Sequence, residues 1–513
     1  MLRITKTENG MVKGLPGTDA RITVFKGIPY AADTSGKNRW RAPQPAENWE
    51  GVRECYEFSP ITMQKTPGED PNAFYSKEWH VDPEVPMGED SLTVNIWTNA
   101  KTGTEKMPVL VWIFGGGLNE GYSYEMEFDG ERMASRGVVV VTVGYRLNVF
   151  GFLAHPDLTA EAPEAPTNFG FLDQKAAIEW VKRNIENFGG DPSNITIAGQ
   201  SAGGVSVLTH LCAKSTKGLF QKAIVQSSAG GSVPSIYPKS TFGRPITLEE
   251  AEQLGIDFLE NHLGVKTIEE ARQLDPFYIR DKYLEMGRRL PRSVIDGKYV
   301  DKDIAGYLFA NELHDVKLLI GDTGDEFFVE AQGETLEEIE AWAKEFYGEH
   351  AEQMLAFWRE EGGDDVEAIK KAAKVNGNQV STLVVAEEFA SQGRDVYTYL
   401  FDPEIPGDDV GSFHSSDLWF SFETLMKCWR PFDGHHFDLA RKMCNYWTNF
   451  MKTGNPNGPD ADGTPMPEWK KYTPDSNCIM RLFDEISLDE GPLSKTQRFI
   501  TDINLKAFRK DRA

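Results

Sequence analysis

Short runs of apolar, mostly β-branched residues recur along the chain and alternate with stretches of helical periodicity. Six of these runs are continuously apolar, which predicts strands covered on both faces of a sheet. They span residues 109–113, 138–143, 195–197, 223–225, 317–320 and 396–400. Between them, residues 174–185 place four apolar side chains at the spacing of a buried helix face. This order predicts an α/β fold with a large, mostly parallel, twisted sheet and helices on both faces.

Two long stretches depart from this alternation. Residues 230–315 contain amphipathic segments but no convincing strand, which predicts a helical insertion over the C-terminal edge of the sheet. Residues 336–388 predict a second helical stretch, charged and surface-like, whose Glu and Lys side chains form a solvated face. A chain of 513 residues corresponds to about three domains by length, but α/β sheets often form one large unit. We expect a single domain over residues 1–513.

The overall charge of the chain bears on which binding partners are expected. A formal net charge of −25 repels nucleic acid and anionic membrane surfaces, so neither is expected as a partner. The first ten residues hold no apolar stretch of signal-peptide length, and no later run approaches a membrane span. A cytoplasmic location is therefore predicted.

The cysteines agree with that location. They are odd in number, scattered and without C-x-x-C spacing, which predicts reduced, mostly structural thiols. The five positions are Cys55, Cys212, Cys428, Cys444 and Cys478.

A candidate nucleophile lies in the sequence Gly-Gln-Ser-Ala-Gly at residues 199–203. The motif stands between an apolar run that predicts a strand and residues 204–208, which can start a helix. A serine on such a sharp turn projects its hydroxyl away from the backbone, and the flanking glycines avoid collisions with neighbouring backbone. Ser201 is therefore the predicted nucleophile. The alternative is an ordinary glycine-rich turn, because three fixed residues recur by chance.

Three glycines at residues 115–117 directly follow the strand predicted at 109–113. Backbone N–H groups without side chains can converge there on a developing oxyanion. We predict an oxyanion hole formed by the backbone of Gly116, Gly117 and Ala202. The alternative is a flexible turn.

A serine nucleophile needs a general base, and in enzymes with this kind of elbow the chain order is Ser, acid, His. That order leaves His350, His414, His435 and His436. His350 lies in a charged helical pattern, and the adjacent pair stands at the apparent start of a helix, without a third metal ligand at a useful spacing. His414 follows the strand predicted at 396–400 across a loop, so it is the predicted general base.

The candidate acids directly follow the strand predicted at 317–320, at the edge of the sheet that carries the other groups. Asp322, Asp325 and Glu326 compete there. Only one carboxylate can orient the imidazole and stabilise its cationic form. The residues themselves do not separate Asp325 from Glu326.

Several further motifs resemble the type-B carboxylesterase (cholinesterase-like) family of the α/β-hydrolase fold, in the style of its bacterial members. They lie at residues 25–31, 89–97, 145–147, 168–174 and 188–192, in the family's order and nearly from end to end. The resemblance implies a serine hydrolase that acts on small-molecule carboxylic esters through an acyl-enzyme, without metal or organic cofactor. It also selects Glu326 as the acid, and it supports His414 as the base.

The same resemblance implies two structural ion pairs, Arg39 with Glu89 and Arg146 with Asp173. Extracellular relatives carry paired cysteines where this chain has Ser91 and a residue near Thr62. That difference agrees with a reducing compartment.

The residues around the predicted oxyanion loop depart from the family pattern. Phe114 precedes the three glycines, Leu118 follows them, and Phe327 replaces the family glycine after the acid. With the insertion at 230–315, we expect these side chains to shape the acyl pocket and to favour short to medium acyl esters or aryl esters. The alternatives are a non-catalytic binding protein with the same fold and a lipase or amidase variant.

Overall fold

The computed structural model describes residues 1–237, 244–287, 293–491 and 493–512. The strands in these ranges are β1 (Ile4–Lys6), β2 (Met11–Lys13), β3 (Leu15–Pro16), β4 (Thr23–Pro29), β5 (Val52–Glu54), β6 (Thr93–Thr98), β7 (Met107–Ile113), β8 (Val139–Val143), β9 (Gly190–Gln200), β10 (Lys222–Gln226), β11 (Ile246–Thr247), β12 (Val294–Ile295), β13 (Lys317–Thr323), β14 (Phe328–Val329), β15 (Val375–Asn376), β16 (Val396–Phe401), β17 (Ile479–Leu482) and β18 (Ile486–Asp489).

The α-helices in the same ranges are α1 (Phe74–Glu78), α2 (Glu131–Ser135), α3 (Asn148–Phe152), α4 (Pro156–Glu161), α5 (Phe169–Asn184), α6 (Ala202–Cys212), α7 (Ala229–Ser232), α8 (Leu248–Asp257), α9 (Ile268–Arg272), α10 (Pro276–Glu285), α11 (Ile304–Phe309), α12 (Leu336–Tyr347), α13 (Ala351–Gly362), α14 (Val366–Ala373), α15 (Gly377–Ser391), α16 (Asp417–Ser421), α17 (Gly434–Thr453) and α18 (Lys495–Arg512). Short 3₁₀ turns and one π-helical stretch, Phe258–Leu263, connect some of them.

One large sheet organises the molecule. Its strand order is β18-β17-β16-β13-β10-β9-β7-β8-β6-β4-β3, with parallel pairing from β17 to β8 and antiparallel pairing at both ends. All six predicted strands are confirmed, as β7, β8, β9, β10, β13 and β16. They are neighbours in the parallel part of the sheet. Helices cover both faces of the sheet there, so strands that are apolar at every position are stable.

The strand register sets the position of the loops that carry the candidate catalytic residues. Gln200 at the end of β9 is paired with Gln226 at the end of β10, and Gly199 is paired with Ile113 of β7. In turn, Gln226 is paired with Gly321 of β13. The carboxyl ends of these parallel strands therefore lie at one edge of the sheet, so the loops that follow them meet there.

The insertion predicted at 230–315 is largely helical in its described parts, 230–237, 244–287 and 293–315. It contains α7 to α11, but also the two-residue strands β11 and β12, which pair with each other in parallel. The prediction that this stretch lacks strands is therefore wrong at one short position. A two-residue strand leaves too little periodicity to be recognised in sequence.

The second helical stretch, 336–388, contains α12 to α14 and most of α15. Helix α15 differs from the predicted charged surface, because most of its residues from Asn378 to Phe389 are buried. It packs against β13, β16 and α18, and Glu387 and Glu388 are largely covered where they pair with Arg498 and Arg509 of α18. Because the segment contains many charged residues, its sequence predicts a surface helix, although α15 covers the sheet.

Both ion pairs implied by the family resemblance are present and buried. Two hydrogen bonds of 2.7 and 2.6 Å join the Arg39 guanidinium to Glu89. Two more, both of 2.7 Å, join Arg146 to Asp173 at the start of α5. These bidentate contacts link loops to the framework of the sheet, which confirms the prediction that the four residues have a structural role.

Breaking one of these pairs should destabilise the fold strongly. We expect Asp173→Asn to lower the free energy of unfolding by about 3–5 kcal/mol, because the buried guanidinium of Arg146 loses its counter-charge. The matched control is Glu179→Gln on the same helix, whose partly exposed pair with Lys175 contributes about 0.5 kcal/mol or less. The measurement is the urea midpoint of each variant. Equal midpoints would contradict a stabilising role for the buried pair.

All five cysteines are free thiols, and four of them are buried. Burial raises the pKa of Cys55 and Cys444 to about 11 and that of Cys428 to about 12. Such thiols are protonated at neutral pH and therefore unreactive. None of the helices in the described ranges has the length and apolar character that crossing a membrane requires.

Candidate active site

The predicted elbow is a sharp turn between β9 and α6. Ser201 lies between them with φ 54° and ψ −125°, a conformation that L-residues rarely adopt. The flanking glycines are required by space: a Cβ on Gly203 would lie 2.0 Å from the carbonyl oxygen of Ile113. A Cβ on Gly199 would lie 2.4 Å from the carbonyl carbon of Gly203. The motif is therefore the strand-to-helix turn that the sequence predicted, not an ordinary glycine-rich turn.

The imidazole of His414 is held by a carboxylate 88 residues away in the chain. His414 Nδ1 is hydrogen-bonded to Glu326 Oε2, and Glu326 is only 3% exposed. The other oxygen, Glu326 Oε1, accepts a hydrogen bond of 3.3 Å from the backbone N–H of Thr323. Tyr75 donates its hydroxyl proton to the carbonyl oxygen of His414 at 3.3 Å. Both the ring and the loop that carries it are thus positioned by neighbours.

The competing carboxylate, Asp325, points to a different part of the same loop. Its Oδ2 accepts a hydrogen bond of 3.0 Å from the backbone N–H of Ser412, two residues before the histidine. Lys374 lies 3.6 Å from its other oxygen. Asp325 therefore holds the chain that leads to His414, while Glu326 contacts the ring itself.

Ser201 and His414 meet at one cleft. Both line the same two cavities, together with Phe327. The residue before the serine, Gln200, places its Nε2 3.3 Å from Nε2 of His414. This contact positions the free nitrogen of the imidazole beside the elbow. Sequence reasoning missed Gln200, because the middle positions of the motif carry no fixed residue type.

The glycine loop after β7 lies directly against the elbow. A Cβ on Gly115 would lie 3.2 Å from the Cβ of Ser201. Gly116 and Gly117 have φ values of 86° and 65°, which glycine adopts without strain. A Cβ on Gly116 would also lie 1.9 Å from the carbonyl oxygen of Glu120. Gly117 and Ala202 line one cavity with Ser201, and Gly116 lines the other, so the structure brings the predicted oxyanion residues together.

The two cavities beside Ser201 differ in size. The smaller one, of about 60 Å³, is lined by Leu118 and Phe327 and by Gly231 and Ser293 of the insertion. The larger one, of about 340 Å³, extends past the oxyanion loop on the other side. Leu118 and Phe327 therefore both line a cavity beside Ser201.

Phe114 does not lie in either cavity, which corrects its predicted place in the acyl pocket. Its ring is 1% exposed and stacks on the Tyr145 ring with centroids 4.3 Å apart. The side chain before the glycines thus points into the core behind the loop. Phe327 does the opposite: it is 52% exposed, and its ring meets the His414 ring edge-on at 4.8 Å.

The other candidate histidines lie outside these cavities. His350 packs its ring against Tyr237 and Phe499. His435 and His436 stand at the start of α17, where the Asp433 carboxylate caps the helix and contacts both rings. Atoms of these three residues lie within 4.8 Å of one another, so a third candidate ligand does accompany the pair, contrary to the sequence-based expectation.

Two further buried carboxyls lie near the Glu326–His414 pair. Burial raises the pKa of Asp417 to about 6, although hydrogen bonds of 2.8 Å from Gln226 and Tyr399 lower it in part. Burial and the neighbouring Glu326 raise the pKa of Asp322 well above its usual range. The protonated form of Asp322, the third competing acid, is thus favoured, and this residue is buried rather than exposed to the cavities.

One protein family and several known proteins are similar to this chain over most of its length. The model of the carboxylesterase family matches residues 2–500. Acetylcholinesterase from Bungarus fasciatus is 30% identical over 506 residues, which cover 91% of this chain and 80% of that protein. Para-nitrobenzyl esterase from Bacillus subtilis (strain 168) is 29% identical over 513 residues, covering 97% of this chain and 98% of that protein.

Solved structures agree with these matches. The crystal structure of a carboxylesterase from Geobacillus stearothermophilus has a TM-score of 0.76 at 29% identity and covers 97% of this chain and 99% of its own. The chain therefore belongs to the carboxylesterase family. It is a serine ester hydrolase with the α/β-hydrolase fold, which confirms the family, fold and class of reaction predicted from the sequence.

Proposed function

We propose that Ser201, His414 and Glu326 form the catalytic triad of this esterase. The Ser201 hydroxyl attacks the ester carbonyl while His414 Nε2 takes its proton, and an acyl-enzyme forms as the alcohol leaves. His414 returns the proton to the leaving alcohol and then activates the water that releases the acid. Glu326 holds Nδ1–H and stabilises the imidazolium during both steps.

The observation that carries this proposal is the bond between His414 Nδ1 and the buried Glu326, in a cleft that also holds the strained Ser201. A bonded Nδ1 leaves Nε2 as the nitrogen that faces the elbow. Three groups from three separate loops converge there, which a non-catalytic binding protein of this fold would not require. Intact mass after exposure to an organophosphonate ester tests the assignment: one adduct on the wild type and none on Ser201→Ala supports it.

We infer that the backbone N–H groups of Gly116, Gly117 and Ala202 stabilise the tetrahedral oxyanion. The loop and the first residue of α6 flank Ser201, so donors come from two sides without any side chain between them. The positive end of the 11-residue helix α6 adds to this stabilisation.

The smaller cavity is assigned to the acyl group, because it is the one bordered by Leu118, Phe327 and the insertion. Its volume of about 60 Å³ leaves space for only a short chain. The substrates we propose are esters of short to medium or aryl acyl groups, in which longer chains extend into solvent and gain no binding energy.

This assignment predicts the dependence on acyl length. p-Nitrophenyl butyrate should be hydrolysed at least about tenfold faster, in kcat/KM, than p-nitrophenyl palmitate. Initial rates below the concentration at which palmitate esters form micelles provide the measurement. A preference for palmitate with activation at an oil–water interface would show instead that the insertion is a lipase lid.

We also propose that this bacterial-type esterase works in the reducing cytoplasm. Its five thiols are unpaired, and four of them are buried. The denatured protein should therefore titrate five free thiols, and reductant should not change the Tm of the native protein. A lower thiol count, or a Tm that falls on reduction, would contradict this location.

A further inference from the structure

The larger cavity, which we call the alcohol cleft, has two chemically different walls. Its volume of about 340 Å³ is at the lower end of the range for small-molecule sites. The polar side chains in its lining are His80, Asn119, Glu120, Glu125, Glu127, Gln200 and Ser415, in addition to Ser201 and His414. The aromatic side chains are Tyr75, Trp79, Phe128 and Phe327. The acyl cavity, by contrast, has no carboxyl group among the described residues of its lining.

Two carboxyl groups of the polar wall, Glu125 and Glu127, are buried. Glu125 Oε1 lies 2.8 Å from His80 Nε2 and also accepts a hydrogen bond of 2.9 Å from the backbone N–H of Tyr122. Glu127 is 1% exposed, and its Oε2 has no hydrogen-bond partner among the described residues. The Glu127 carboxyl also shares a hydrogen bond with Glu125, so one buried oxygen is left without a described partner, which is costly unless a ligand or solvent meets it.

The titratable groups on this wall, which include Glu120, influence one another. Burial lowers the pKa of His80, whereas the charge and hydrogen bond of Glu125 and the charge of Glu120 raise it, and the net shift is upward. Burial, together with repulsion from Glu125, raises the pKa of Glu127 well above its usual range. This shift favours the protonated form of Glu127, in which the carboxyl can both donate and accept a hydrogen bond. Lysine and arginine are absent from the described lining of the cleft.

A wall with many hydrogen-bond donors and acceptors matches hydroxyl groups. An aliphatic alcohol would bury these polar groups without partners, and an ammonium group offers no acceptor to the amide and hydroxyl donors of the wall. Hydroxyls can satisfy donors and acceptors together, while the ring carbons of a sugar or polyol contact the aromatic wall.

We propose that the alcohol cleft selects esters whose alcohol half is a neutral polyhydroxylated group of about monosaccharide size. This inference rests on the proposed function, since the cleft receives the alcohol only if Ser201 is the nucleophile. Glu127 and the Glu125–His80 pair supply the hydrogen bonds that distinguish such an alcohol from an apolar one.

Three butyrate esters with the same acyl group and similar alcohol size test the proposal: the 6-O-butyrate of glucose, cyclohexylmethyl butyrate and (1-methylpiperidin-4-yl)methyl butyrate. We expect kcat/KM for the sugar ester to exceed that of the cyclohexyl ester at least about tenfold, because a site built to bind hydroxyls discriminates against analogues without them. A sugar-to-cyclohexyl ratio of one or less, or the highest rate on the piperidinium ester, would overturn the proposal.

Variants of Glu127 test whether the polar wall causes the preference for the sugar ester. Glu127→Leu should reduce the sugar-to-cyclohexyl ratio at least about fivefold, mainly through KM for the sugar ester, whereas Glu127→Gln keeps a donor and an acceptor and should retain most of the ratio. Glu69→Leu makes the same change at an exposed residue and should leave the ratio at the wild-type value. An unchanged ratio in Glu127→Leu, measured on folded protein, would contradict the role of the wall.

The alcohol preference and the proposed catalytic role of Ser201 can be tested separately. If p-nitrophenyl butyrate is hydrolysed through Ser201 while the sugar ester shows no advantage, only the alcohol preference is wrong. If Ser201→Ala hydrolyses all esters at wild-type rates, the proposed function itself is wrong.

Discussion

Ser201→Ala should lower kcat for p-nitrophenyl butyrate by about a thousandfold or more, with little change in KM. No other hydroxyl lies at the elbow between β9 and α6, and the oxyanion donors alone supply only residual catalysis. Alanine fits the elbow as well as serine does, because the strained φ of 54° is imposed by the β9–α6 junction. Steady-state kinetics on a preparation with a wild-type circular dichroism spectrum provides the measurement.

Ser193→Ala is the matched control for that experiment. Ser193 lies in the same strand, β9, but is exposed and contacts Asp191. Its variant should keep wild-type turnover and should still be labelled by the phosphonate. Wild-type turnover in Ser201→Ala, or a phosphonate adduct on another serine, would mean that the nucleophile lies elsewhere.

Glu326→Gln should reduce kcat by about 10³- to 10⁴-fold, the second largest effect we expect. The amide can still contact Nδ1 of His414, but it carries no charge to stabilise the imidazolium and can favour the wrong tautomer. Because Glu326 is fully enclosed, water cannot replace the missing charge. Single-turnover kinetics with p-nitrophenyl butyrate separates this loss from any change in substrate binding.

The neighbouring carboxylate supplies the control. Asp325→Asn should cost less than about tenfold, because Asp325 holds the backbone at Ser412 rather than the imidazole, and an amide oxygen can accept the same hydrogen bond. Its half-exposed side chain also makes the fold tolerant of the change. If the ranking is reversed in two folded variants, the role of triad acid belongs to Asp325.

The residue pattern is sufficient to predict the framework of this protein. Continuously apolar runs define the parallel part of the sheet because a strand covered on both faces has no polar positions. The elbow can also be predicted from the sequence, since the close approach of Gly203 to Ile113 allows only glycine at position 203. Chain order then reduces the histidines to four candidates, of which His414 follows a core strand.

Other features of the site depend on contacts between residues that are distant in the chain. The pattern leaves Asp325 and Glu326 equivalent, and family resemblance chose between them; the side chains diverge only when the loop around residues 411–414 packs beside them. Phe114 was expected to line the acyl pocket, but the Tyr145 ring provides a better-packed place for it in the core.

The burial of polar groups is the feature of this protein that is hardest to predict from its sequence. Helix α15 reads as charged surface, yet the sheet covers it. Glu125 and Glu127 are acidic residues without a recognisable motif, yet both are buried, and Glu125 contacts His80. By itself, the sequence determined the sheet, the elbow and the candidate catalytic groups, because these depend on local pattern and chain order. Only the tertiary structure decided which carboxyls are enclosed, paired or neutral, because desolvation depends on residues that are brought together by folding.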